Sequence, residues 1–336
     1  MFPRNVLIFH SGALGDFVQT WPLGLALGRL YPQSRVIYVT QRQKGVLVEK
    51  VLRLEFMDTE LGWHHLFGDA NRLPEVCRHK LASAHSIFTF IARPGDAWMQ
   101  AAGSVAPGAQ TISIEAGAVG QMVDSLSGVP AVRAAVGQIL ASIAERGLHF
   151  PGPPVVGPVG IHPGAGSPTK CWPLDSYLEL IDRLHDAGHR CRIFLGEVEM
   201  ERWPGEEIHR LQSADETVQP ATYLDLFREL SGCCAFVGND SGPAHVASAV
   251  DCPCVTVTSA LDFPGIWEPW NSRGRVARAR IDCEFCLSLT CCPRKTNACI
   301  LAIEVTEVLG LCRQVLVPAA SDRRQTAPFP EALSRA

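Results

Sequence analysis

The chain has 336 residues, of which 47% are hydrophobic and 19% charged, and its formal net charge is -4 at pH 7. This composition is typical of a globular protein, and the length favours two domains, because domains usually hold about 100–200 residues. Nucleic-acid-binding domains are usually clearly basic, so the acidic balance argues against nucleic acid as a partner. We find no pattern of a secretory signal and no apolar run long enough to cross a membrane, which predicts a cytoplasmic protein.

The first half of the chain alternates short apolar runs with helical patterns. Residues 6–9 predict a buried strand, and apolar residues at Leu23, Leu27 and Leu30 predict a helix after it. Further strands are predicted at residues 36–39, 87–91 and 111–114. Residues 62–80 show no pattern that predicts an element. Alternation of strand and helix predicts a parallel sheet covered by helices.

A stretch rich in proline and glycine, residues 150–154, divides the chain. It predicts a first domain over residues 1–150 and a second over residues 151–317, followed by a flexible tail at 318–336. The second half repeats the alternation. Its predicted strands are residues 159–162, 192–195, 235–237 and 255–257, and its predicted helices include residues 223–230 with Thr222 as the N-cap, a helix that begins at Pro243, and an amphipathic helix over 305–316.

Three strand–turn–helix junctions carry glycine and polar residues, and in a parallel sheet such junctions lie at the carboxyl ends of the strands, where ligands bind. The first junction contains Gly12, Gly15 and Asp16. The two glycines allow the backbone to pass close to a ligand. Asp16 has two interpretations at this point: a helix N-cap, or a general base that faces a substrate.

The second junction, residues 162–173, contains Gly164, Gly166 and Lys170. Backbone N–H groups of a small-residue loop and a lysine can bind phosphate, although the Walker A pattern is absent. An ordinary loop with a solvated Lys170, and a core histidine at His162, are the alternatives.

The third junction, residues 238–245, contains Asp240, Ser241, Gly242 and His245. The start of a helix at this turn predicts a site for two phosphates. The alternative is an N-cap turn with a buried histidine.

Taken together, the three junctions resemble glycosyltransferase family nine, the heptosyltransferase family. The matching segments are V-L-I-F-H-S-G-A-L-G-D-F-V-Q-T-W-P, G-I-H-P-G-A-G-S-P-T-K-C-W-P and F-V-G-N-D-S-G-P-A-H-V-A-S-A, and Trp267-Glu268-Pro269-Trp270 stands where the family often has a W-x-P element. The resemblance implies an α/β protein with two Rossmann-like domains that face a cleft, the GT-B fold. It also implies inverting, metal-independent transfer of heptose from ADP-heptose to a lipopolysaccharide inner-core or related surface glycan.

The resemblance also implies roles for individual residues. Asp16 matches the catalytic base, and Lys170 matches the lysine near the donor phosphates. The donor-binding residues that it implies are Gly15, Gly164, Gly166, Glu199, Asp240, Ser241, Gly242 and His245. Glu199 matches the ribose-binding glutamate, with Glu197 as an alternative alignment. The chain departs from the family at His10, where a basic residue is usual, and at Thr258-Ser259, where Phe-Gly is usual.

The chemistry of these residues agrees with an inverting transferase. One carboxylate is enough to take the proton of an acceptor hydroxyl, and Lys170 with the Ser241–Gly242 turn can stabilise the leaving diphosphate without a metal. Two other functions remain open: a nucleotide-sugar epimerase or hydrolase of the same fold, and a non-catalytic protein that binds a nucleotide sugar.

The cysteine-rich segment 283–299 carries five thiols, namely Cys283, Cys286, Cys291, Cys292 and Cys299. Their spacing allows a structural zinc site or an iron–sulfur cluster, and free thiols or a disulfide are the alternative. The segment contains no histidine, and we predict no catalytic metal.

The acceptor cannot be derived from these motifs. The segment around Trp63, His64 and His65 is a candidate for contact with the acceptor. Arg42 and Lys44 are predicted to be solvated, and contact with anionic headgroups or phosphorylated sugars is the alternative. A lipid-linked acceptor would bring the protein into at most peripheral contact with the inner face of the membrane.

Overall fold

The computed structural model describes residues 4–115, 117, 119–146, 156–259, 270, 273–278, 292 and 296–316. The chain divides into two compact units, residues 1–141 and 142–336, and a helix, Pro130–Arg146, runs across the division. The predicted domain boundary at residues 150–151 and the predicted tail at 318–336 both lie outside the described residues and stay predictions.

The first unit is built on a five-stranded parallel sheet with the strand order β3-β2-β1-β4-β5. Its strands are β1 (Asn5–Phe9), β2 (Arg35–Thr40), β3 (Glu55–Asp58), β4 (Ala84–Thr89) and β5 (Gln110–Ser113). Its helices are α1 (Leu14–Gln19), α2 (Trp21–Leu30), α3 (Arg42–Leu47), α4 (Glu75–Ala82), α5 (Ala97–Val105), α6 (Val119–Ser125) and α7 (Pro130–Arg146). A π-helical turn, Val48–Leu52, extends α3.

Continuous apolar runs form the centre of this sheet because both of its faces are covered. Every residue of β1 is buried, as expected for a central strand of a parallel sheet. On one side of the sheet, Phe9 makes edge-to-face contacts with Trp63 at 5.1 Å and with Trp98 at 4.9 Å between ring centroids. Trp63 is 3% exposed, so this side chain packs in the core and is not a candidate for contact with an acceptor. His64 is exposed and His65 is half-buried.

The segment 62–80, which the sequence left unassigned, contains short helical turns. Two 3-10 turns, Trp63–Phe67 and Ala70–Arg72, precede α4. No long helix forms between Gly62 and Pro74. Gly62 adopts a positive φ of 99°, and Pro74 immediately precedes α4 and disfavours helical backbone in the residue before it. Such short turns have too few residues for a hydrophobic period to appear in the sequence.

The second unit is built on a six-stranded parallel sheet with the strand order β11-β10-β9-β6-β7-β8. Its strands are β6 (Val159–His162), β7 (Cys191–Phe194), β8 (Glu216–Val218), β9 (Ala235–Asn239), β10 (Cys254–Thr258) and β11 (Arg275–Arg278). Its helices are α8 (Leu174–Asp186), α9 (Glu197–Arg202), α10 (Gly205–Ala214), α11 (Tyr223–Ser231), α12 (Gly242–Ala249), α13 (Ala298–Leu301) and α14 (Val305–Leu316).

The sequence predicted where α11 and α12 begin. The start of α11 is confirmed, and α12 begins one residue earlier than predicted. The Thr222 hydroxyl accepts a hydrogen bond from the backbone N–H of Asp225 and caps α11, as predicted. Helix α12 begins at Gly242, so Pro243 is its second residue and not its first. Proline is tolerated at both positions, since the N–H that it lacks has no partner within the helix there.

Both sheets have a point where the chain changes direction. In the first unit the chain runs from β1 outward through β2 to β3 and then returns to β4 on the other side of β1. In the second unit it runs from β6 through β7 to β8 and returns to β9 on the other side of β6. Ligands of open α/β sheets bind at such switch points, outside the carboxyl ends of the strands. Within the described ranges, every helix is too short or too polar to span a lipid bilayer.

Candidate functional site

The switch point of the second unit gathers most of the predicted donor residues. Strand β6 lies between β9 and β7, so the turns after all three strands meet at one edge of the sheet. These turns carry His162 at the end of β6, Asp240 after β9 and Glu199 in the first turn of α9. All three side chains are at most 6% exposed. Buried groups of this kind need partners. His162 and Glu199 lie next to each other, and Asp240 is paired with two other side chains.

Asp240 is held by two cationic or potentially cationic side chains. The ammonium of Lys170 lies 2.6 Å from Asp240 Oδ2, and Nε2 of His245 lies 3.4 Å from Oδ1. Burial raises the pKa of the Asp240 carboxyl, but the hydrogen bond from His245 and the charge of Lys170 outweigh it and lower the pKa to about 2. The side chain of Lys170 remains 18% exposed, so part of it still faces outward from the ion pair. The alternative interpretation, an ordinary loop with a solvated Lys170, is therefore wrong.

A second chain of contacts links β6 to α9 and α12. Oγ of Ser241 lies 3.3 Å from Nδ1 of His162, and Nε2 of the same imidazole lies 3.8 Å from Glu199 Oε1. Glu199 also accepts a hydrogen bond of 2.7 Å from the backbone N–H of Gly196. Burial raises the pKa of Glu199, but the contacts with His162 and the Gly196 N–H outweigh burial, so the pKa lies below its ordinary value. Glu197 is exposed, so the structure places Glu199 and not Glu197 at this edge.

Gly164 and Gly166 belong to the same loop but have different surroundings. A Cβ at Gly164 would collide with the carboxylate of Glu199, so the absence of a side chain is what lets the loop and α9 approach. Gly166 is exposed, and no described atom lies within 4 Å of a Cβ at that position. Only the first of the two glycines is required by a close contact.

Asn239 organises this edge, and the sequence motifs did not single it out. Its side chain is fully buried, accepts a hydrogen bond from the backbone N–H of Trp172 at 3.0 Å, and donates to the carbonyls of Pro163 and Gly164 at 2.7 and 3.2 Å. The last residue of β9 thus fixes both ends of the loop that carries Lys170. A polar residue at the end of an apolar strand was the available signal.

The N-terminus of α12 completes this edge of the sheet. Ser241 is its N-cap residue, but the hydroxyl does not cap the helix because it faces His162 instead. The backbone N–H groups in the first turn of α12 therefore receive no hydrogen bond from the N-cap side chain, and the positive end of the helix dipole is not neutralised by it. Ser241 and Gly242 are half-buried, whereas His245, one turn further, is buried.

The switch point of the first unit carries the predicted base. Asp16 is half-buried and lies in the first turn of α1, whose N-cap is Ala13, so the N-cap interpretation of Asp16 is wrong. Gly15 is buried as the second residue of α1. A Cβ at Gly12 would lie 3.2 Å from Asp16 Oδ2 and 3.1 Å from His10 Nε2, so both groups face the open side of this glycine.

Lys44 lies behind the same turn, although the sequence predicted it to be solvated. It is 2% exposed, and its ammonium donates to the carbonyl of Gly12 and, at 2.8 Å, to Oε1 of Gln41. Burial lowers the pKa of Lys44, and the nearby Asp16 carboxylate offsets part of that decrease. Arg42, two residues away, is exposed as predicted.

Metal binding rests largely on residues outside the described ranges. Of the cysteine-rich segment only Cys292 and Cys299 are described, and both are half-buried. Among the described residues, His185, Cys191 and Asp215 form a group with ligand atoms within 4.8 Å of one another. Asp215 already accepts hydrogen bonds from His185 Nε2 and from the Cys191 N–H, and burial raises the pKa of the Cys191 thiol to about 12. This group forms a hydrogen-bonded brace between α8 and β7.

Comparisons with known proteins agree with this fold and with the motifs. The fold is similar to that of the ADP-heptose lipopolysaccharide heptosyltransferase II of Escherichia coli, with a TM-score of 0.62 and 19% identity over 93% of this chain and 98% of that chain. It is also similar to the iron-containing dodecameric glycosyltransferase TibC from enterotoxigenic E. coli, with a TM-score of 0.54 and 15% identity over 93% of this chain and 76% of that chain. These likenesses confirm the predicted fold class, the two parallel α/β domains of GT-B glycosyltransferases.

The sequence comparisons match residues 149–296 to a known family. Residues 149–296 match the family model of glycosyltransferase family 9 (heptosyltransferase), which confirms the resemblance drawn from the three motifs. Lipopolysaccharide heptosyltransferase 3 of E. coli is 30% identical over 117 residues, 34% of this chain and 34% of that protein. The chain thus matches about a third of the length of this curated relative. Over residues 149–296 the chain is therefore similar to the family 9 glycosyltransferases.

Proposed function

We propose that this protein is an inverting glycosyltransferase that transfers heptose from ADP-heptose to a lipopolysaccharide inner-core or related surface glycan. The observation that carries the proposal is the buried Lys170–Asp240–His245 cluster next to the N-terminus of α12. It lies at the switch point of the sheet, where nucleotides bind in this fold class. Two of the similar proteins, heptosyltransferase II and TibC in complex with ADP-D-beta-D-heptose, carry ADP-heptose in their names.

The donor is proposed to bind at the second unit. The uncovered N-terminus of α12 attracts the diphosphate, and Ser241 supplies a hydroxyl at the same place. Lys170 stabilises the charge that develops on the leaving diphosphate, while Asp240 holds the ammonium in position. Glu199 binds the ribose, and Gly164 and Gly166 shape the loop beside it. Gly15, in the first unit, allows the backbone to approach the donor.

Asp16 is proposed to act as the general base. It takes the proton of the acceptor hydroxyl as the new glycosidic bond forms at the anomeric carbon and the bond to the diphosphate breaks. The diphosphate leaves with the electron pair of that bond, so configuration inverts in one displacement. This chemistry requires no metal, and we propose none as a participant. The acceptor is a saccharide or a lipid-linked saccharide, and contact with the inner face of the membrane is at most peripheral.

The first experiment is calorimetric titration of the wild type and Asp240→Ala with ADP, UDP and GDP. The proposal expects selective binding of ADP, and loss of that binding in the variant because Lys170 is released from its position. Ser241→Ala is a second variant with a smaller structural cost. Selective binding of UDP or GDP would remove the ADP-heptose assignment, and binding of none of the three would refute a nucleotide-sugar function.

The second experiment separates the transferase from its alternatives. Wild type and Asp16→Asn are incubated with ADP-heptose, with and without a deacylated inner-core saccharide. A transferase releases ADP only when the saccharide is present, and Asp16→Asn binds ADP normally but does not turn over. Release of ADP or free sugar without the saccharide would favour a hydrolase or epimerase. Binding without any turnover would favour a non-catalytic nucleotide-sugar-binding protein.

A further inference from the structure

The turn that carries Asp16 is supported by two buried polar residues that no motif assigns. Lys44 comes from α3, which follows β2, and His10 follows β1. Since β1 and β2 are neighbours in the sheet, with Phe9 paired to Val39, their carboxyl ends bring both residues behind the same turn. Lys44 is 2% exposed and His10 is 1% exposed. Neither can therefore touch a substrate directly from this position.

Lys44 supplies both an anchor and a charge. Its ammonium donates to the carbonyl of Gly12, which fixes the backbone just before α1. Its charge interacts favourably with the Asp16 carboxylate. An ammonium buried to this degree costs free energy unless hydrogen bonds and an opposite charge offset the lost hydration. The Gly12 carbonyl, Gln41 and Asp16 supply them here.

His10 stands on the other side of the same glycine. Among the described residues, no group forms a hydrogen bond with either of its ring nitrogens. A Cβ at Gly12 would lie 3.1 Å from Nε2 of His10 and 3.2 Å from Oδ2 of Asp16. The imidazole and the carboxylate therefore face the same open space beside this glycine. Burial, and then the charge of Lys44, lower the pKa of His10 to about 3, so the imidazole stays neutral and keeps one N–H to donate.

A buried imidazole with no hydrogen-bond partner among the described residues lowers the free energy of unfolding, so its presence needs an explanation. A buried polar group without a partner destabilises the folded state, and native proteins keep few of them. The ring is already in contact with Phe17 and Phe90, with centroids 5.6 and 5.5 Å away, so an apolar side chain would suit this environment. A polar residue in such a place, whose Nε2 faces the same glycine as the carboxylate of the proposed base, points to a role in the reaction.

We propose that Lys44 and His10 are positioning residues for Asp16: Lys44 anchors the turn and balances the carboxylate charge, and the Nε2–H of His10 orients the carboxylate toward the acceptor hydroxyl. The hydrogen bond forms across the open face of Gly12, directly or through one water molecule. The inference rests on the proposed function, in which Asp16 is the base. A base that is poorly oriented loses rate and not substrate affinity, because the same groups still bind the substrate.

The test compares paired variants in the transfer assay with ADP-heptose and the deacylated inner-core saccharide. His10→Leu and Lys44→Met are expected to lower kcat about 10- to 100-fold, while KM for the saccharide and the Kd for ADP stay within about twofold. His10→Gln places an amide N–H near the position of Nε2 and restores part of kcat. His10→Asn places its amide near Nδ1 and does not.

Stability measurements separate positioning from a merely structural role. His10→Leu removes unsatisfied polar atoms and should melt at or above the wild-type temperature while it loses activity. The control is His85→Phe, which removes the contacts to Ser34 at 3.1 Å and Ser86 at 2.9 Å. It should melt lower and keep wild-type kcat. Arg42→Met, on the exposed side of α3, should change neither quantity.

Three results would overturn the inference: wild-type kcat in His10→Leu and Lys44→Met, equal activity of His10→Gln and His10→Asn, or losses of kcat that only follow the melting temperature. Failure of the underlying function has a different signature. In that case the wild type does not transfer heptose, or Asp16→Asn transfers it as fast as the wild type.

Discussion

Replacing Asp240 with asparagine should destabilise the folded protein in a way that depends on pH. The substitution keeps the shape of the side chain but removes the charge that pairs with Lys170 at 2.6 Å and with His245 at 3.4 Å. Asp240 is 6% exposed, so solvent screens these contacts only weakly. The amide leaves the Lys170 ammonium without its counter-charge.

The pKa of Asp240 gives the size of the effect. The folded-state pKa is about 2, against an ordinary value of 3.8. Each pKa unit corresponds to 1.36 kcal/mol, so the charged form contributes about 2 kcal/mol to the free energy of unfolding. Because the folded-state pKa is lowered, this contribution is present in full above pH 3.8 and is lost as the pH falls towards 2.

Urea unfolding of the wild type and Asp240→Asn at pH 7 and at pH 2.5 measures both features. We expect a difference of about 2 kcal/mol at pH 7, which corresponds to roughly 4–8 °C in melting temperature for a unit of this size, and a smaller difference at pH 2.5. Glu179→Gln, which removes an exposed ion pair with Arg183, is the matched control and should change stability by less than about 0.5 kcal/mol. A penalty that is equal at both pH values, or no penalty at pH 7, would refute the reasoning.

Three further predictions concern the donor side and its frame. Gly164→Ala should weaken ADP binding at least tenfold because its Cβ displaces Glu199, whereas Gly205→Ala, at the exposed start of α10 with open space around it, should bind ADP normally in the same calorimetric assay. Glu199→Gln should weaken ADP binding, and the exposed Glu197→Gln should not; equal effects would contradict the assignment. Thr222→Ala should lower the free energy of unfolding by about 1 kcal/mol, measured by urea titration, because it removes the cap of α11.

Much of the fold could be predicted from local patterns. The central strands are continuous apolar runs, and the Thr222 cap and the amphipathic α14 have signals within a few residues. The short edge strands β3, β8 and β11 were missed. They have three or four residues each, partly exposed, so no hydrophobic period develops in them. Their pairing with a neighbouring strand, and not their own sequence, makes them strands.

The candidate site, like the fold, was predicted in part from the sequence and in part only from the structure. The sequence predicted which turns carry the proposed chemistry, because glycine, proline and polar residues between apolar runs mark the carboxyl ends of strands in the linear chain. It also carried the resemblance to glycosyltransferase family nine, since the three motifs keep the order and spacing of that family. Tertiary structure alone decided which side chains in those turns meet: Asp240 with Lys170, 70 residues apart, and Ser241 with His162, 79 residues apart.

The same limit explains the residues that the sequence placed wrongly or missed. Lys44 reads as a surface lysine beside Arg42, but the pairing of β1 with β2 buries it behind the Asp16 turn. Asn239 reads as the end of a strand, yet it fixes the loop that carries Lys170. Burial and partner choice depend on strand order, which sequence spacing does not encode because neighbouring strands are separated by helices of variable length. The sequence by itself determined the class of protein, and the sheet order decided which groups support its chemistry.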